Sequence, residues 1–108
     1  MSRPPQQAVL PPVGRWALDL LAHPWTPHLL LLLAQRPQRY RDLRAALAGM
    51  STAVLTDRLR TLTTTGLARR RLVDDDSGVH YEATDLGLAL AQPLADLATI
   101  AERTRAVE

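Results

Sequence analysis

Ala53, Thr56, Asp57, Arg60 and Thr64 recur at a spacing that, wound at about 100° per residue, puts them on one face of a helix, opposite the stripe Leu55, Leu59 and Leu62. Small, hydroxylated and guanidinium groups with no bulky apolar neighbour can enter a DNA major groove. There arginine pairs bidentately with guanine, and threonine touches a thymine methyl or a phosphate. Ser51 and Thr52 open the same helix, where unpaired N–H groups and the helix dipole attract phosphate. The segment Arg36 to Arg71, which contains this helix, holds nine of the thirteen basic residues and two of the eleven acids, a formal charge of +7. The remainder sums to −5, so the whole-chain charge of +2 conceals a polarised molecule. A basic segment of that kind supplies the phosphate attraction that DNA binding needs.

The elements that must position these residues are read from periodicity and punctuation. Ser2 to Pro12, with four of the eight prolines, is expected to be a flexible arm. A helix is expected from Arg15 to about Ala22, ended by His23-Pro24, because proline disfavours helix at the residue before it. Thr26 is the expected cap of a second helix that runs to Gln35, with Pro27 in its first turn, and the run Leu29 to Leu33 implies burial on most sides. After an extended piece at Gln38, Arg39 and Tyr40, Arg41 to Leu47 reads as a third helix with Leu43, Ala46 and Leu47 inward. Gly49 permits a sharp turn. Ser51 caps the fourth helix and Gly66 closes it as a left-handed C-cap. Leu67 to Val73 and Val79 to Ala83 read as strands around an acidic tip, Asp74-Asp75-Asp76. Thr84 caps a last helical region reaching Arg105, with the apolar ladder Leu86, Leu90, Leu94, Leu97 and Ile100, broken or kinked near Pro93. The order is helix-turn-helix followed by a wing.

Composition removes other classes. With no cysteine there are no disulfides, thiolate metal sites or thiol nucleophiles, and His23, His28 and His80 lack ligand spacing, so neither a metal nor a cofactor is expected. No phosphate-cradling glycine loop and no nucleophile with a nameable base is present, so no enzyme is expected. The longest apolar run, Leu29 to Ala34, is far short of the ~20 residues of a membrane span, and the chain reads as cytoplasmic. Every Lys or Arg position is arginine, a bias that a GC-rich genome produces unaided and that carries no weight here. Arg69, Arg70 and Arg71 alternate across a strand, so at most two share a face, the remaining one being a partner for Glu82 or the tip acids. The acids of the tip oppose phosphate and lack the alternate-position pattern of a calcium loop. Trp16 and Trp25 flank the first helix, as core and dimer packing or as the lining of an effector cavity between subunits.

The motifs Leu18-Asp19, Trp25-Thr26, Arg39-Tyr40-x-x-Leu43-Arg44-x-x-Leu47 and Ser51-x-x-Val54-Leu55-Thr56-x-Arg58-Leu59-x-x-Leu62 precede Gly66-Leu67 in order. With Tyr81 and Thr84-x-x-Gly87 downstream, the stretch from about Gly14 to Leu97 resembles the HxlR-type winged helix-turn-helix regulators, relatives of the MarR group. The resemblance implies a bacterial homodimer joined through its first and last helices, with Ser51, Thr52, Thr56 and Arg60 at the DNA and Arg39 and Arg41 on its backbone. It also implies that Trp16 and Trp25 border a site for a small aromatic effector. Four positions depart from the family. Pro12 stands where a cysteine is frequent, which rules out a thiol switch there, and Pro24 where a basic residue precedes the Trp-Thr pair. Ala53 and Asp57 replace lysine and glutamine on the recognition helix, which removes one contact and adds a repulsive charge unless Asp57 accepts from a cytosine amine.

The expected fold is mainly α with a small β-hairpin, a winged helix-turn-helix at 13–105 behind an arm at 1–12. The expected function is regulation of transcription by a homodimer on double-stranded DNA, with Arg39, Arg41, Ser51, Thr52, Ala53, Thr56, Asp57, Arg60 and Arg70 at the DNA and no membrane partner. The rival is a winged-helix module that contacts protein without binding DNA.

Overall fold

Five successive leucines force one helix into the middle of the protein. In the computed structural model, which describes residues 12–73 and 78–107, Leu29, Leu30 and Leu33 are buried and Leu31 and Leu32 half-buried. The order is α1 (Pro12–Leu21), α2 (Thr26–Gln35), β1 (Gln38–Arg39), α3 (Tyr40–Ala46), α4 (Thr52–Thr64), β2 (Ala68–Val73), β3 (Gly78–Ala83) and α5 (Asp85–Val107). The strands form one antiparallel sheet, ordered β1-β3-β2, in which Arg39 faces His80, Arg69 faces Glu82 and Arg70 faces Tyr81. The expected hairpin therefore gains a third strand from the extended piece before α3. Buried Gln38 fixes that strand by donating from Nε2 to the Leu32 carbonyl at 2.6 Å. The arm Met1 to Pro11 and the acidic tip Asp74 to Asp76 lie outside the described residues.

Several boundaries differ from expectation for local reasons. The first helix starts at Pro12 rather than Arg15, since proline suits a first turn. Thr26 does not cap α2. The cap is Trp25, at φ +74, because the Thr26 N–H closes a turn onto the His23 carbonyl and Leu29 already donates to the Trp25 carbonyl. Thr26 Oγ1 is buried and makes no hydrogen bond among the described residues. In α3 the inward line runs through Leu43 and Leu47, leaving Ala46 exposed on its flank rather than inward. Pro93 does not break α5, which continues as a single helix of 23 residues.

The remaining signals act as expected. Gly49 and Gly66 take positive φ, +100 and +83, and Leu67 N–H donates back to the Leu62 carbonyl at 2.9 Å to close α4. Leu55, Leu59 and Leu62 are buried against α2. Thr84 Oγ1 accepts from the Gly87 N–H at 3.1 Å as the cap of α5 and donates to the Gly66 carbonyl at 2.6 Å, joining the start of α5 to the end of α4.

Candidate nucleic-acid interface

The N-terminal half of α4 is held by its own cap and by α3. Ser51 Oγ accepts from the Val54 N–H at 3.1 Å, which spends an acceptor and leaves the hydroxyl proton to donate outward. Tyr40 donates its hydroxyl to the Thr52 carbonyl at 3.3 Å and lies 3.3 Å from Thr56 Oγ1. One turn along α3, Arg44 donates to Thr52 Oγ1. Tyr40 and Arg44 thus set how Thr52 and Thr56 are presented, a role that sequence reasoning missed. Its one available signal was their i, i+4 spacing on a helix that leads directly into the turn.

Ala53, Thr56, Asp57 and Arg60 are exposed on α4, as the helical phase requires. Thr56, Arg60 and Thr63 form one wall of a recess of about 260 Å³, and Arg70 and Tyr81 of the sheet form the other, with Tyr40 at its edge. The recess brings Arg60 of the helix and Arg70 of the wing to one site. Arg69 and Arg71 share the opposite sheet face, where both bind Glu82, through Nε to Oε2 at 2.6 Å and Nη1 to Oε1 at 3.1 Å. Of the three arginines, then, two pair with Glu82 rather than one. The Arg69 hydrogen bond, opposed by partial burial and aided by Arg71, holds the Glu82 carboxyl below the ordinary glutamate range.

Two other acids in the basic segment are neutralised locally. Asp57 binds the neighbouring Arg58 at 2.7 Å, and Arg58 in turn donates from Nε to the Pro24 carbonyl at 2.8 Å. The charge that Asp57 adds to the recognition face is therefore already countered. Arg39 is half-buried and bonded to Asp42 at 3.3 Å. Partial desolvation acts upward on the Asp42 carboxyl, but the Arg39 hydrogen bonds and the charges of Arg39 and Arg41 outweigh it and hold it low. Arg41, Arg60 and Arg70, like Arg36 and Arg44, are exposed and make no ion pair among the described residues, so these are among the cations available to a polyanion.

Trp16 and Trp25 have different neighbours within the single chain. Trp16 lines a recess between α1 and the end of α4, whereas Trp25 packs its ring edge 4.0 Å from the Cβ position of Gly49 and sits 5.6 Å, centre to centre, from His28. No group of three His, Asp or Glu among the described residues is placed to hold a metal ion, and no helix there is long and apolar enough to cross a membrane.

The HxlR-like helix-turn-helix family model matches residues 20–107. The HTH-type transcriptional regulator YvaP of Bacillus subtilis (strain 168) is 32% identical over 82 residues, 75% of this chain and 76% of that protein. Among solved structures, a MarR-family transcriptional regulator of Enterococcus faecalis V583 superimposes with a TM-score of 0.74 at 30% identity, covering 97% of this chain and 92% of that one. Quinone-bound YodB of B. subtilis superimposes with a TM-score of 0.75 at 22% identity, a likeness of fold, covering 87% of this chain and 99% of that one.

Proposed function

The chain belongs to the HxlR-like helix-turn-helix family of transcriptional regulators, and on that premise we propose that it acts as a homodimer on a pseudo-palindromic DNA operator. The observation that carries this reading is the recess in which Arg60 and Arg70, neither ion-paired among the described residues, converge beside Thr56. It offers guanidinium groups to base edges and phosphate at one end of a capped helix with no large apolar side chain on its outer face. Ser51 and Thr52 retain hydroxyl protons for phosphate, and Arg41 extends the cationic surface onto α3. Arg39, tied to Asp42, serves the backbone less directly.

The dimer is proposed to form through α1 and α5. Leu18, Leu97 and Ile100 are 57%, 62% and 58% exposed, and an apolar groove between α1, α2 and α5 runs past Leu18, Leu21, Leu31, Leu94 and Leu97. A second copy related by a two-fold axis would cover this face and set two recognition helices about 34 Å apart, one turn of DNA.

Control by a small molecule completes the proposal. A quinone occupies one regulator of the same fold; this chain has no cysteine with which to trap such a ligand, so contacts alone would hold an effector.

A mobility-shift titration against the DNA flanking the chain's own gene, beside a random duplex, tests the reading. Specific binding whose affinity falls steeply between about 50 and 200 mM salt supports it. Equal affinity for both duplexes, or none, would leave the fold to a role in protein contact.

A further inference from the structure

We infer that Arg58 is the residue that positions the recognition helix: it fastens α4 to the turn between α1 and α2 and, with the same guanidinium, aims Asp57 at the operator. The inference rests on the proposed DNA binding for its effect on sequence choice, but not for the hold on the turn.

The turn is strained and held from several sides. Trp25 takes φ +74, a left-handed conformation that is costly for a bulky residue and persists only where its surroundings impose it. Within the turn, the Thr26 N–H donates to the His23 carbonyl at 3.1 Å and the Leu29 N–H to the Trp25 carbonyl at 2.9 Å. The Pro24 carbonyl, which lies between them, instead accepts from Arg58 Nε at 2.8 Å, across 34 positions of sequence. The Trp25 ring reaches to 4.0 Å from the Cβ position of Gly49, in the turn that leads into α4. Two adjacent residues thus touch α4 itself, through Arg58, and the approach to α4, through Gly49.

Arg58 joins this turn to the recognition face within one side chain. Its side chain is 15% exposed, whereas that of Asp57 is 54% exposed. Consecutive helical residues point about 100° apart and do not ordinarily face each other. Even so, Arg58 Nη1 meets Asp57 Oδ2 at 2.7 Å, because the guanidinium is already fixed at Nε by the Pro24 carbonyl. Asp57 shares its exposed face with Thr56 and Arg60, so its carboxylate, held at one oxygen, presents its remaining lone pairs in a set direction. In a major groove the base-edge donor that suits such an acceptor is the cytosine amine. The same bond that neutralises Asp57 therefore also orients it, and the orientation depends on the turn.

The test compares the full chain with two uncharged variants. Arg58→Met keeps the stem and removes every donor; Arg58→Gln keeps an N–H at the level of Nε and removes the one that meets Asp57. In a Trp16→Phe background Trp25 is the sole tryptophan, so its emission reports the turn. Arg58→Met should shift that emission to longer wavelength, and Arg58→Gln should leave it as in the parent. On DNA, the ratio of affinities for an operator selected from a random pool and for random duplex should fall about tenfold in Arg58→Met, the worth of one hydrogen bond from a charged group. Arg58→Gln should lose part of that ratio. A role in stability alone lowers the competent fraction equally on both duplexes and leaves the ratio intact. Parent-like emission in Arg58→Met, or shifted emission in Arg58→Gln, overturns the hold on the turn, and an unchanged ratio in both variants overturns the positioning role. If Arg58→Met does not fold, Arg58→Gln decides alone, by unshifted emission together with a fallen ratio. A parent chain that binds no DNA overturns the proposed function, while the emission still decides whether Arg58 holds the turn.

Discussion

A Cβ on Gly87 would lie 2.0 Å from the carbonyl oxygen of Leu67. That carbonyl cannot swing aside, because it accepts the Thr84 N–H at 3.0 Å, and Thr84 is itself bonded to the Gly66 carbonyl. The first turn of α5 is thus seated directly on the chain leaving α4. Gly87→Ala is expected to destabilise the fold by about 1 to 3 kcal/mol or more, the range of overpacking in a rigid site. Urea denaturation checks it, and an unchanged midpoint would show that the contact yields freely.

The Glu82 carboxyl is depressed in the folded chain by Arg69 and Arg71. A folded value below the unfolded one gives stability that is complete above about pH 4.3 and is lost as pH falls through the folded value. Glu82→Gln should remove this acid-side component and lower stability at neutral pH by about 1 to 2 kcal/mol, a modest figure because both guanidinium groups are more than half exposed and screened by solvent. Denaturation midpoints of both proteins between about pH 3 and pH 7 decide it. Parallel profiles would refute a native-state role for the pair.

Several roles that depend on one helix or one turn were spelled out in the sequence: the stripe Leu55, Leu59, Leu62, the Ser51 and Thr84 caps and the turn at Gly66 stand where their residue types require, whereas the expected Thr26 cap and inward Ala46 do not. Roles that depend on two elements meeting were not legible. Alternation along β2 separates Arg70 from Arg69 and Arg71, but only burial of Ala68 against the core shows that Arg70 is the one facing α4. Tyr40 and Arg44 look like ordinary polar residues of a short helix until α4 is packed across them. Trp16 and Trp25, close in sequence, face different neighbours because the left-handed turn at Trp25 redirects the chain between them and α2.

Tyr40→Phe keeps the ring against the core but deletes the hydroxyl that ties Thr52 and Thr56. Loss of about 0.5 to 1.5 kcal/mol of stability is expected, the net worth of a hydrogen bond. Affinity for specific DNA should fall with it, because the N-terminal half of α4 loses its tether while Arg60 is untouched. Stability that drops without any change in DNA affinity would confine Tyr40 to folding.

Leu97→Glu with Ile100→Glu places two charges on the proposed dimer face, where both side chains are more than half exposed in the isolated chain. The substitutions should leave the monomer fold intact, since neither residue belongs to the core, and yield a monomer by light scattering at tens of micromolar. Operator affinity should fall at least to that of a single half-site. A parent chain that is itself monomeric at that concentration would remove the basis for the two-fold arrangement.

Arg60 and Arg41 are both exposed and have no ion pair among the described residues, but they stand on different elements, and that difference predicts different phenotypes. Arg60, on the outer face of α4, lines the recess shared with Arg70, the position from which it is proposed to reach base edges. Arg60→Ala should therefore cost about 1 to 3 kcal/mol on a selected operator and little on random duplex, relaxing sequence preference. Arg41 lies on α3, ahead of the turn, where the expected neighbour is sugar-phosphate backbone. Arg41→Ala should weaken selected and random duplex alike and reduce the salt slope by about one counterion. Competition binding on both duplexes across a salt series separates the two. If both variants lose affinity uniformly, Arg60 is a phosphate contact and α4 enters the groove rotated from the phase that its leucine stripe defines.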